Sequence, residues 1–225
     1  MAEDLLTSLR SGRVLADGGI GTSLVERGAP VDACFEVLNA DDPDLVAGVH
    51  RSFVEAGAQV VTSNTFGANR FKLAGRGQGE RVSELNRLGV EVARSAGVPI
   101  SGSVGPLGVR IAPLGRVRRE EVFDAYVEQM SALVDGGVDA LQVETQSDLA
   151  EVEEAVAAAR KVSDLPLIVT ATFTRDDRTL LGSTPRQVAL RLADLGVDAL
   201  GVNCGEGPAQ ALRIAREMRA VAGSI

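Results

Sequence analysis

The sequence predicts an α/β fold, a (β/α)₈ TIM barrel of which about six βα units are present. Three stretches of the chain repeat one pattern: "FVEAGAQVVTSN", "LVDGGVDALQVE" and "LADLGVDALGVN". In each, a helix-like segment stops at a glycine, a short β-rich run follows, and a polar residue closes the run. Such a repeat is typical of a parallel α/β fold. A second observation is that polar residues close at least five predicted strands: Asp17, Asn64, Ser103, Glu144 and Asn203.

The glycine in each repeat predicts the end of a helix. Gly57, Gly137 and Gly196 each follow a helix-like segment. Glycine just past a helix adopts the left-handed conformation without steric cost. We therefore expect a helix to end, and a strand to begin, at each of these positions.

Three further strands are predicted between the repeats. "RVLADGG" predicts a first strand that ends at Asp17, and "VPISGSVGP" predicts one that ends near Ser103. "LPLIVTATF" predicts another strand, and its unbroken apolar run is typical of a strand that is buried on both faces. Together with the repeats, these segments make six strands.

Two of the predicted helices have recognisable first turns. In "STPRQVALRLADLG", Thr184 and Gln187 can form a capping box around Pro185. In "SDLAEVEEAVAAARKV", the helix is expected to start from Ser147 or Asp148. Strands that alternate with helices of this length predict a parallel sheet with right-handed crossovers.

Two architectures fit this alternation, a doubly wound sheet and a barrel. The stretch "GGIGTSL" lacks the dinucleotide-binding fingerprint, because Leu24 stands where the third glycine is required. Barrels collect their chemistry from many strand ends on one face, which favours the barrel here. The residues after Asn203 suffice for one helix, whereas two more units need about 75 residues. The single domain over residues 1–225 is therefore expected to lack its last one or two βα units.

Composition and charge argue against several classes of function. The 225 residues carry a formal net charge of −8 without a block of Lys or Arg, which disfavours nucleic-acid binding. No stretch approaches the roughly 20 apolar residues that span a membrane, and the N-terminal stretch does not resemble a secretion signal. The two cysteines, Cys34 and Cys204, do not make a disulfide framework. These features predict a cytoplasmic protein without nucleic-acid or membrane partners.

Five motifs stand at the predicted strand ends, in the order "DGGIGTSL", "NTFGANRFKL", "GSVGPLG", "ETQSDLAE" and "GVNCG". Together they resemble the homocysteine S-methyltransferases, and the match covers essentially the whole chain. The wording "NTFGAN" is more similar to the branch found in cobalamin-type methionine synthases and in methyltransferases fused to folate reductases. The resemblance implies a homocysteine-binding (β/α)₈ barrel that is truncated at its C-terminal end.

The resemblance also implies a zinc site built from three cysteine thiolates. It makes Cys204 the first ligand and places the other two in an adjacent pair after the eighth strand. This sequence lacks that pair. Zinc held by three protein ligands keeps one position open, and a thiol that coordinates there is deprotonated. Zn²⁺ would thus prepare the homocysteine sulfur as the nucleophile, and no side chain would be needed as a general base.

The substrate-binding residues implied by the resemblance are Asp17, Gly18, Gly19, Asn64, Glu144 and Asn203. Asp17 and Glu144 take the ammonium group of homocysteine. The backbone amides around Gly18 and Gly19 approach its carboxylate, since glycine permits close backbone approach. Asn203 orients the ligand. For Asn64 the alternative role is to cap or brace a loop.

The implied function is zinc-dependent methyl transfer to the thiol of L-homocysteine, giving methionine. The methyl donor is left open among methylcobalamin, a methylfolate and a sulfonium compound, and in this family it often arrives on another domain. A lyase with a Schiff-base lysine is poorly supported, because neither Lys72 nor Lys161 closes a strand. The other alternative is a truncated or degenerate barrel that binds an amino acid weakly and is not catalytic on its own.

Two chemically active residues are expected to be structural. Cys34 lies between helical patterns, away from the predicted strand ends. His50, the only histidine, lies on the predicted helix "DPDLVAGVHRSFVEAG". We expect it to pack or to face solvent rather than to bind a metal.

Overall fold

The structure is a computed structural model that describes Leu5, Thr7, Ser8 and residues 12–223. Its strands are β1 (Val61–Thr62), β2 (Ile100–Val104), β3 (Ala140–Gln146), β4 (Leu167–Ala171) and β5 (Ala199–Val202). The helices within residues 12–223 are α1 (Ile20–Glu26), α2 (Leu38–Asp41), α3 (Pro43–Glu55), α4 (Arg70–Ala74), α5 (Val82–Arg94), α6 (Arg119–Gly136), α7 (Leu149–Val162), α8 (Pro185–Asp194) and α9 (Pro208–Ala222). Short 3₁₀ helices cover Phe35–Val37 and Gly79–Arg81.

The five strands form one parallel sheet in chain order, as predicted. The strand expected to end at Asp17 is shorter than predicted and contributes a single parallel bridge between Ala16 and Val60. One reason is that the side chain of Gln59, not a backbone carbonyl, accepts the hydrogen bond from the Leu15 amide at 3.0 Å. The described sheet therefore has five strands and one bridge instead of six full strands.

The predicted helix ends are confirmed. The three glycines have positive φ angles: 107° at Gly57, 87° at Gly137 and 69° at Gly196. Helix α8 begins with the predicted capping box, in which Thr184 and Gln187 satisfy each other's backbone amides. Helix α7 is capped by Asp148, one of the two residues predicted for this role.

The two faces of the sheet differ. Leu141 of β3 and Leu167 of β4 are buried in the main hydrophobic core, together with side chains of α6, α7, α8 and α9. Ile168 and Thr170 alternate with the buried residues of β4, so they lie on the opposite face, and they are only half-buried. The prediction that "LPLIVTATF" is buried on both faces is therefore wrong. Helices packed on one face form the wall of a barrel, whereas a doubly wound sheet has helices on both.

The longest described helix is too polar to cross a bilayer. The 18-residue helix α6 carries charged residues along its length, beginning with "REE". Among the residues that the structure describes, no helix combines enough length with enough hydropathy to cross a membrane.

Candidate active site

A cavity of about 410 Å³ lies at the carboxyl ends of the strands. Because these ends share one edge of a parallel sheet, the loops that follow the strands converge there. The cavity is lined by Gly18, Gly19, Ile20, Gly21, Thr22, Phe35, Glu36, Thr62, Ser63, Asn64, Phe66, Ser103, Glu144, Thr145 and Cys204. Five of the seven predicted site residues are among them. The other two, Asp17 and Asn203, lie behind this wall and are hydrogen-bonded to wall residues.

Asp17 is held by Thr62. Its Oδ2 accepts a hydrogen bond from the Thr62 amide at 2.8 Å, and the Thr62 hydroxyl lies 3.0 Å from both carboxylate oxygens. Burial raises the pKa of Asp17 to about 6 against the opposing effect of these bonds, and the negative charge of Glu144 adds to the rise. A carboxyl group whose pKa is raised by the charge of a second carboxylate favours a cation nearby.

Glu144 has only neutral partners among the described residues. The Ser103 hydroxyl donates to its Oε1 at 2.6 Å, and Nδ2 of Asn203 lies 3.5 Å from its Oε2. Burial raises the pKa of Glu144, and the bond from Ser103 opposes the rise. Glu144 is therefore a buried carboxyl group without a cationic partner in the described part of the chain.

Backbone strain is concentrated beside Glu144. Strand β3 does not end at Glu144 as predicted but continues to Gln146, and its pairing with β4 is irregular between Val143 and Gln146. Within this irregularity Thr145 has φ = 60°, and the neighbouring Cys204, whose Sγ lies 3.9 Å from the Thr145 hydroxyl, has φ = 59°. Positive φ is uncommon for residues other than glycine and is found most often at functional sites.

The Asn203 side chain connects these strained residues. Its Oδ1 accepts hydrogen bonds from the Thr145 amide at 3.0 Å and from the Thr170 hydroxyl at 2.9 Å. Its Nδ2 donates to the Thr145 hydroxyl at 2.8 Å and lies 3.6 Å from Sγ of Cys204. Protein partners thus occupy this amide, so Asn203 orients the wall of the cavity.

Gly18 and Gly19 bring the backbone to the cavity at the start of α1. A Cβ atom at Gly18 would lie 3.0 Å from Cε1 of Phe53, so a larger residue would displace that ring. Gly19 caps α1 without a side-chain hydrogen bond. Neither glycine N–H has a backbone acceptor within the described residues, which leaves both amides open to a ligand.

Asn64 lines the cavity but directs its amide into the protein. Its Nδ2 donates to the Phe35 carbonyl at 2.7 Å and to Oδ1 of Asn39 at 3.0 Å. In return Nδ2 of Asn39 donates to the Asn64 carbonyl at 2.8 Å. With both of its donor hydrogens used, Asn64 braces the loop after β1, which is the alternative role considered from the sequence.

Three site residues were not predicted as such. The sequence predicts Ser103 only as a strand end, and it identifies neither Thr62 nor Thr145 as a site residue. Thr62 lies two residues before Asn64, and side chains at this spacing share a face of a strand. That alternation could have identified Thr62, whereas nothing in the sequence indicates the irregularity at Thr145.

Cys34 and His50 have structural environments, as expected. The Cys34 thiol donates to Oε2 of Glu36 at 3.3 Å, and burial together with this carboxylate raises the thiol pKa to about 11. His50 is fully buried in α3, and burial lowers its pKa to about 4. Its ring nitrogens have no hydrogen-bond partner in the described part of the chain.

Comparison with known proteins gives the family. A model of the family described as "Homocysteine S-methyltransferase" matches residues 14–225. The chain belongs to the homocysteine S-methyltransferase family. Within it, the methionine synthase of Mycobacterium tuberculosis is 34% identical over an alignment of 227 residues that covers 92% of this chain and 19% of that protein. Betaine–homocysteine S-methyltransferase 1 of Danio rerio is 30% identical over 226 residues, covering 96% of this chain and 55% of its own length.

Solved structures of this family share the fold. The homocysteine methyltransferase MmuM from Escherichia coli, in its metallated form, matches with a TM-score of 0.82 and 24% identity. The match covers 95% of this chain and 82% of that protein. Its oxidised form matches with a TM-score of 0.79 and 25% identity. The prediction of the barrel class is thereby confirmed, although the chain spans about a fifth of the methionine synthases it matches.

The residues present do not complete the zinc site that the resemblance implies. The described residues include no group of three His, Cys, Asp or Glu side chains that could hold a metal ion. Cys204 lines the cavity, whereas Cys34 lines a neighbouring one and is bonded to Glu36. The sequence has no third cysteine, so it supplies one thiolate of the three.

Proposed function

We propose that this chain is the homocysteine-binding part of an enzyme that transfers a methyl group to the thiol of L-homocysteine, giving methionine. One observation carries the proposal. In a member of this family, Glu144 and Cys204 line one cavity, and Asp17, whose pKa the charge of Glu144 helps to raise, lies directly behind the cavity wall. A cavity of about 410 Å³ is large enough for an amino acid of this size.

The two carboxylates would hold the ammonium group of the substrate. The negative charge of Glu144 adds to the raised pKa of Asp17, and a ligand ammonium beside both groups would oppose this rise. Hydrogen bonds to charged groups are stronger than neutral ones, so this pair would contribute much of the affinity. Thr62 and Ser103 keep the carboxylates in place through the contacts described above.

The open N–H groups of Gly18 and Gly19 would take the substrate carboxylate at the other end of the amino acid group. With both charged ends of the substrate held there, its thiol would extend toward Cys204. Asn203 and Thr145 shape this part of the wall and hold Cys204 in position.

The transfer requires a thiolate. The sulfur forms a bond to the methyl carbon, the bond from that carbon to the donor breaks with its electron pair remaining on the donor, and the thiol proton is lost. A thiol with a pKa near 8.5 is mostly protonated at neutral pH and reacts poorly in that form. Family resemblance assigns the deprotonation to zinc, and the MmuM neighbour has a metallated form. We propose that Cys204 supplies one zinc ligand and that the other two thiolates lie beyond these 225 residues, in the barrel units that were expected to be absent.

The methyl donor would come from another domain or protein. The matched methionine synthases are about five times as long as the region they share with this chain, which leaves room for domains that carry a donor. Methylcobalamin, a methylfolate and a sulfonium compound remain the candidates. The cytoplasm, where cysteines stay reduced, is the proposed location.

A binding measurement tests the proposal. We expect calorimetry on the purified chain to show saturable binding of L-homocysteine and much weaker binding of D-homocysteine, because the wrong enantiomer cannot place both charged ends at once. Equal binding of both enantiomers, or none, would contradict the proposal. Binding without methyl transfer from any of the three donors would favour the second candidate, an incomplete barrel that binds the amino acid alone. The single thiolate at the cavity is the observation that favours this candidate.

A further inference from the structure

A second cavity, of about 420 Å³, adjoins the candidate active site. The two cavities share Phe35, Glu36 and Phe66 as lining residues. The second one, called the side cavity below, extends outward between the loop before α2, helix α4 and the loop after β2. Neither the predicted substrate residues nor Cys204 line it, so the proposed function does not account for it.

The side cavity is lined by a lysine without an ionic partner in contact. Nζ of Lys72 lies 4.4 Å from the centroid of the Phe66 ring. Among the described residues, no hydrogen bond or ion pair reaches this ammonium group. Burial lowers the pKa of Lys72, as expected for an ammonium that has lost water without gaining a close anion. Arg76 adds a second cation to the wall, and its Nη1 donates to the Asp32 carbonyl at 2.8 Å.

The carboxylates nearest Lys72 are already used. Oε1 of Glu36 accepts from the Gly67 amide at 2.6 Å, and its Oε2 accepts from the Cys34 thiol. Glu151, the other carboxylate whose charge acts on Lys72, accepts from the Leu107 amide at 2.6 Å and from a tyrosine hydroxyl. The lining of the side cavity therefore contains two cations, Lys72 and Arg76, and one carboxylate, Glu36, which accepts hydrogen bonds from neutral donors.

Glycines and aromatic rings give the side cavity its shape. A Cβ atom at Gly67 would lie 2.5 Å from Oε1 of Glu36, and one at Gly108 would lie 3.4 Å from Cε of Lys72. Gly108 also has φ = 78°, so a side chain there would be strained as well as crowded. The rings of Phe66 and Phe71 supply apolar wall beside the ammonium. The result is a pocket with a cation and flat apolar surfaces.

We propose that the side cavity is a binding site for a small molecule that has a flat apolar body and an anionic group, with Lys72 and Arg76 binding the anion and Phe66 packing against the body. Carboxylate and phosphate share the required chemistry. The anion site stands without the proposed function. The site could also hold part of a second substrate next to homocysteine, because the wall shared by the two cavities would bring the two ligands together. This second role rests on the proposed function.

The two lysines of the chain allow a direct test by NMR. Reductive methylation with ¹³C-formaldehyde keeps the lysine charge and labels Lys72, the exposed Lys161 and the N-terminus. The signals are assigned with Lys72→Met and Lys161→Met. The probes are benzoate, phenyl phosphate and benzamide, which is a neutral molecule of nearly the same shape as benzoate. We expect benzoate or phenyl phosphate to shift the Lys72 signal saturably and to raise the pKa of Lys72, while the Lys161 signal stays unchanged.

The variants and probes separate the outcomes. Calorimetry measures the affinity of the variants, since Lys72→Met lacks the Lys72 signal. Lys72→Met should bind the anionic probe at least tenfold more weakly, and Lys161→Met should bind it as the unchanged chain does. The preferred probe identifies carboxylate or phosphate as the ligand group. Equal shifts with benzamide, equal shifts at both lysines, or no saturable shift with either anion would each overturn the proposal. If Lys72→Met does not fold, the NMR titration of the chain without substitutions still tests the proposal. L-Homocysteine binding is measured separately, so its failure would leave the anion site intact.

Discussion

The loop after β1 has polar side chains on two sides that differ in chemical type, with neutral amides on one side and carboxyl groups on the other. Behind the loop, Asn39, Asn86 and Gln129 are fully buried amides that donate to backbone carbonyls of the loop and of α5. In front of it, Asp17 and Glu144 are carboxyl groups with neutral partners and raised pKa values. Amides that saturate backbone groups stabilise a fold, whereas under-partnered carboxylates destabilise it and are suited to binding.

The amides behind the loop form a connected network. Nδ2 of Asn86 donates to the carbonyls of Ala68 and Val82 at 2.8 and 2.7 Å, and its Oδ1 lies 3.4 Å from Nε2 of Gln129. Nε2 of Gln129 donates to the Thr65 carbonyl at 2.8 Å. This network fixes the loop whose Asn64 and Phe66 line the cavity. We call these residues the backing network and expect them to affect stability first.

The largest expected effect concerns zinc. The 225-residue chain should bind zinc weakly, since one thiolate replaces the three of a tight site of this type. A version extended by two βα units and a cysteine pair should bind one zinc and lose it on Cys204→Ala. Cys34→Ala is the matched control and should keep the metal, because that thiol lines the other cavity. Zinc is measured by elemental analysis after dialysis against a chelator, and stoichiometric zinc on the 225-residue chain would show this expectation to be wrong.

The second effect is on homocysteine affinity. Glu144→Gln keeps the shape of the side chain but removes the charge that would bind the ammonium. The loss of a charge-assisted hydrogen bond costs about 1.5–3 kcal/mol, or roughly ten- to a hundredfold in affinity. Glu128→Gln is the control, since Glu128 forms an exposed ion pair with Arg70 away from the cavity. Calorimetry that finds equal affinity in the two variants would remove Glu144 from the binding site.

The third effect separates the backing network from the cavity. Asn39→Leu would leave the carbonyl of Asn64 without its hydrogen bond and one of the two Nδ2 hydrogens of Asn64 without an acceptor, while the other still bonds the Phe35 carbonyl. Each buried group left unsatisfied costs about 1–3 kcal/mol, so we expect a loss of about 3 kcal/mol in the free energy of unfolding. Urea denaturation measures it. If Asn39→Leu kept its stability and instead lost homocysteine affinity as Glu144→Gln does, the distinction between the two sides of the loop would fail.

Much of the fold was predictable because local rules decide it. The positive φ angles at Gly57, Gly137 and Gly196 and the capping box at Thr184 follow from residue type and position. The chain order of the strands follows from the alternation of helices and strands. The first strand is shorter than predicted. The side chain of Gln59, a residue distant in sequence, accepts the hydrogen bond from the Leu15 amide that a backbone carbonyl of a neighbouring strand would accept in a regular sheet.

The candidate site was predictable only in part. Motifs identified Glu144 and Cys204, which line the cavity. The motifs did not indicate that the side-chain amides of Asn203 and Asn64 are hydrogen-bonded within the protein, because their partners are residues distant in sequence. The partners Thr62 and Ser103 were likewise visible only once neighbouring strands were in register.

The smallest effect is the most specific for Asp17. Its pKa in the folded protein is raised to about 6 from 3.8, so the folded state binds this proton more readily than the unfolded chain. The contribution of Asp17 to stability is therefore present below pH 4 and is lost as the pH rises through about 6. Above that pH, the ionised carboxyl destabilises the fold. Asn at this position cannot ionise, and its side-chain oxygen can still accept the bond from the Thr62 amide.

We therefore expect Asp17→Asn to raise the Tm at about pH 8 and to leave it nearly unchanged at about pH 4, while homocysteine affinity falls. A shift of two pKa units corresponds to at most about 3 kcal/mol, and because Asp17 is only partly buried we expect about 1 kcal/mol. Asp135→Asn, which alters an exposed ion pair with Arg87, is the control. Calorimetric scans at both pH values measure the difference. A Tm lowered equally at both would mean that the carboxylate of Asp17 stabilises the fold through Thr62, and Asp17 would then belong with the backing network instead of the cavity.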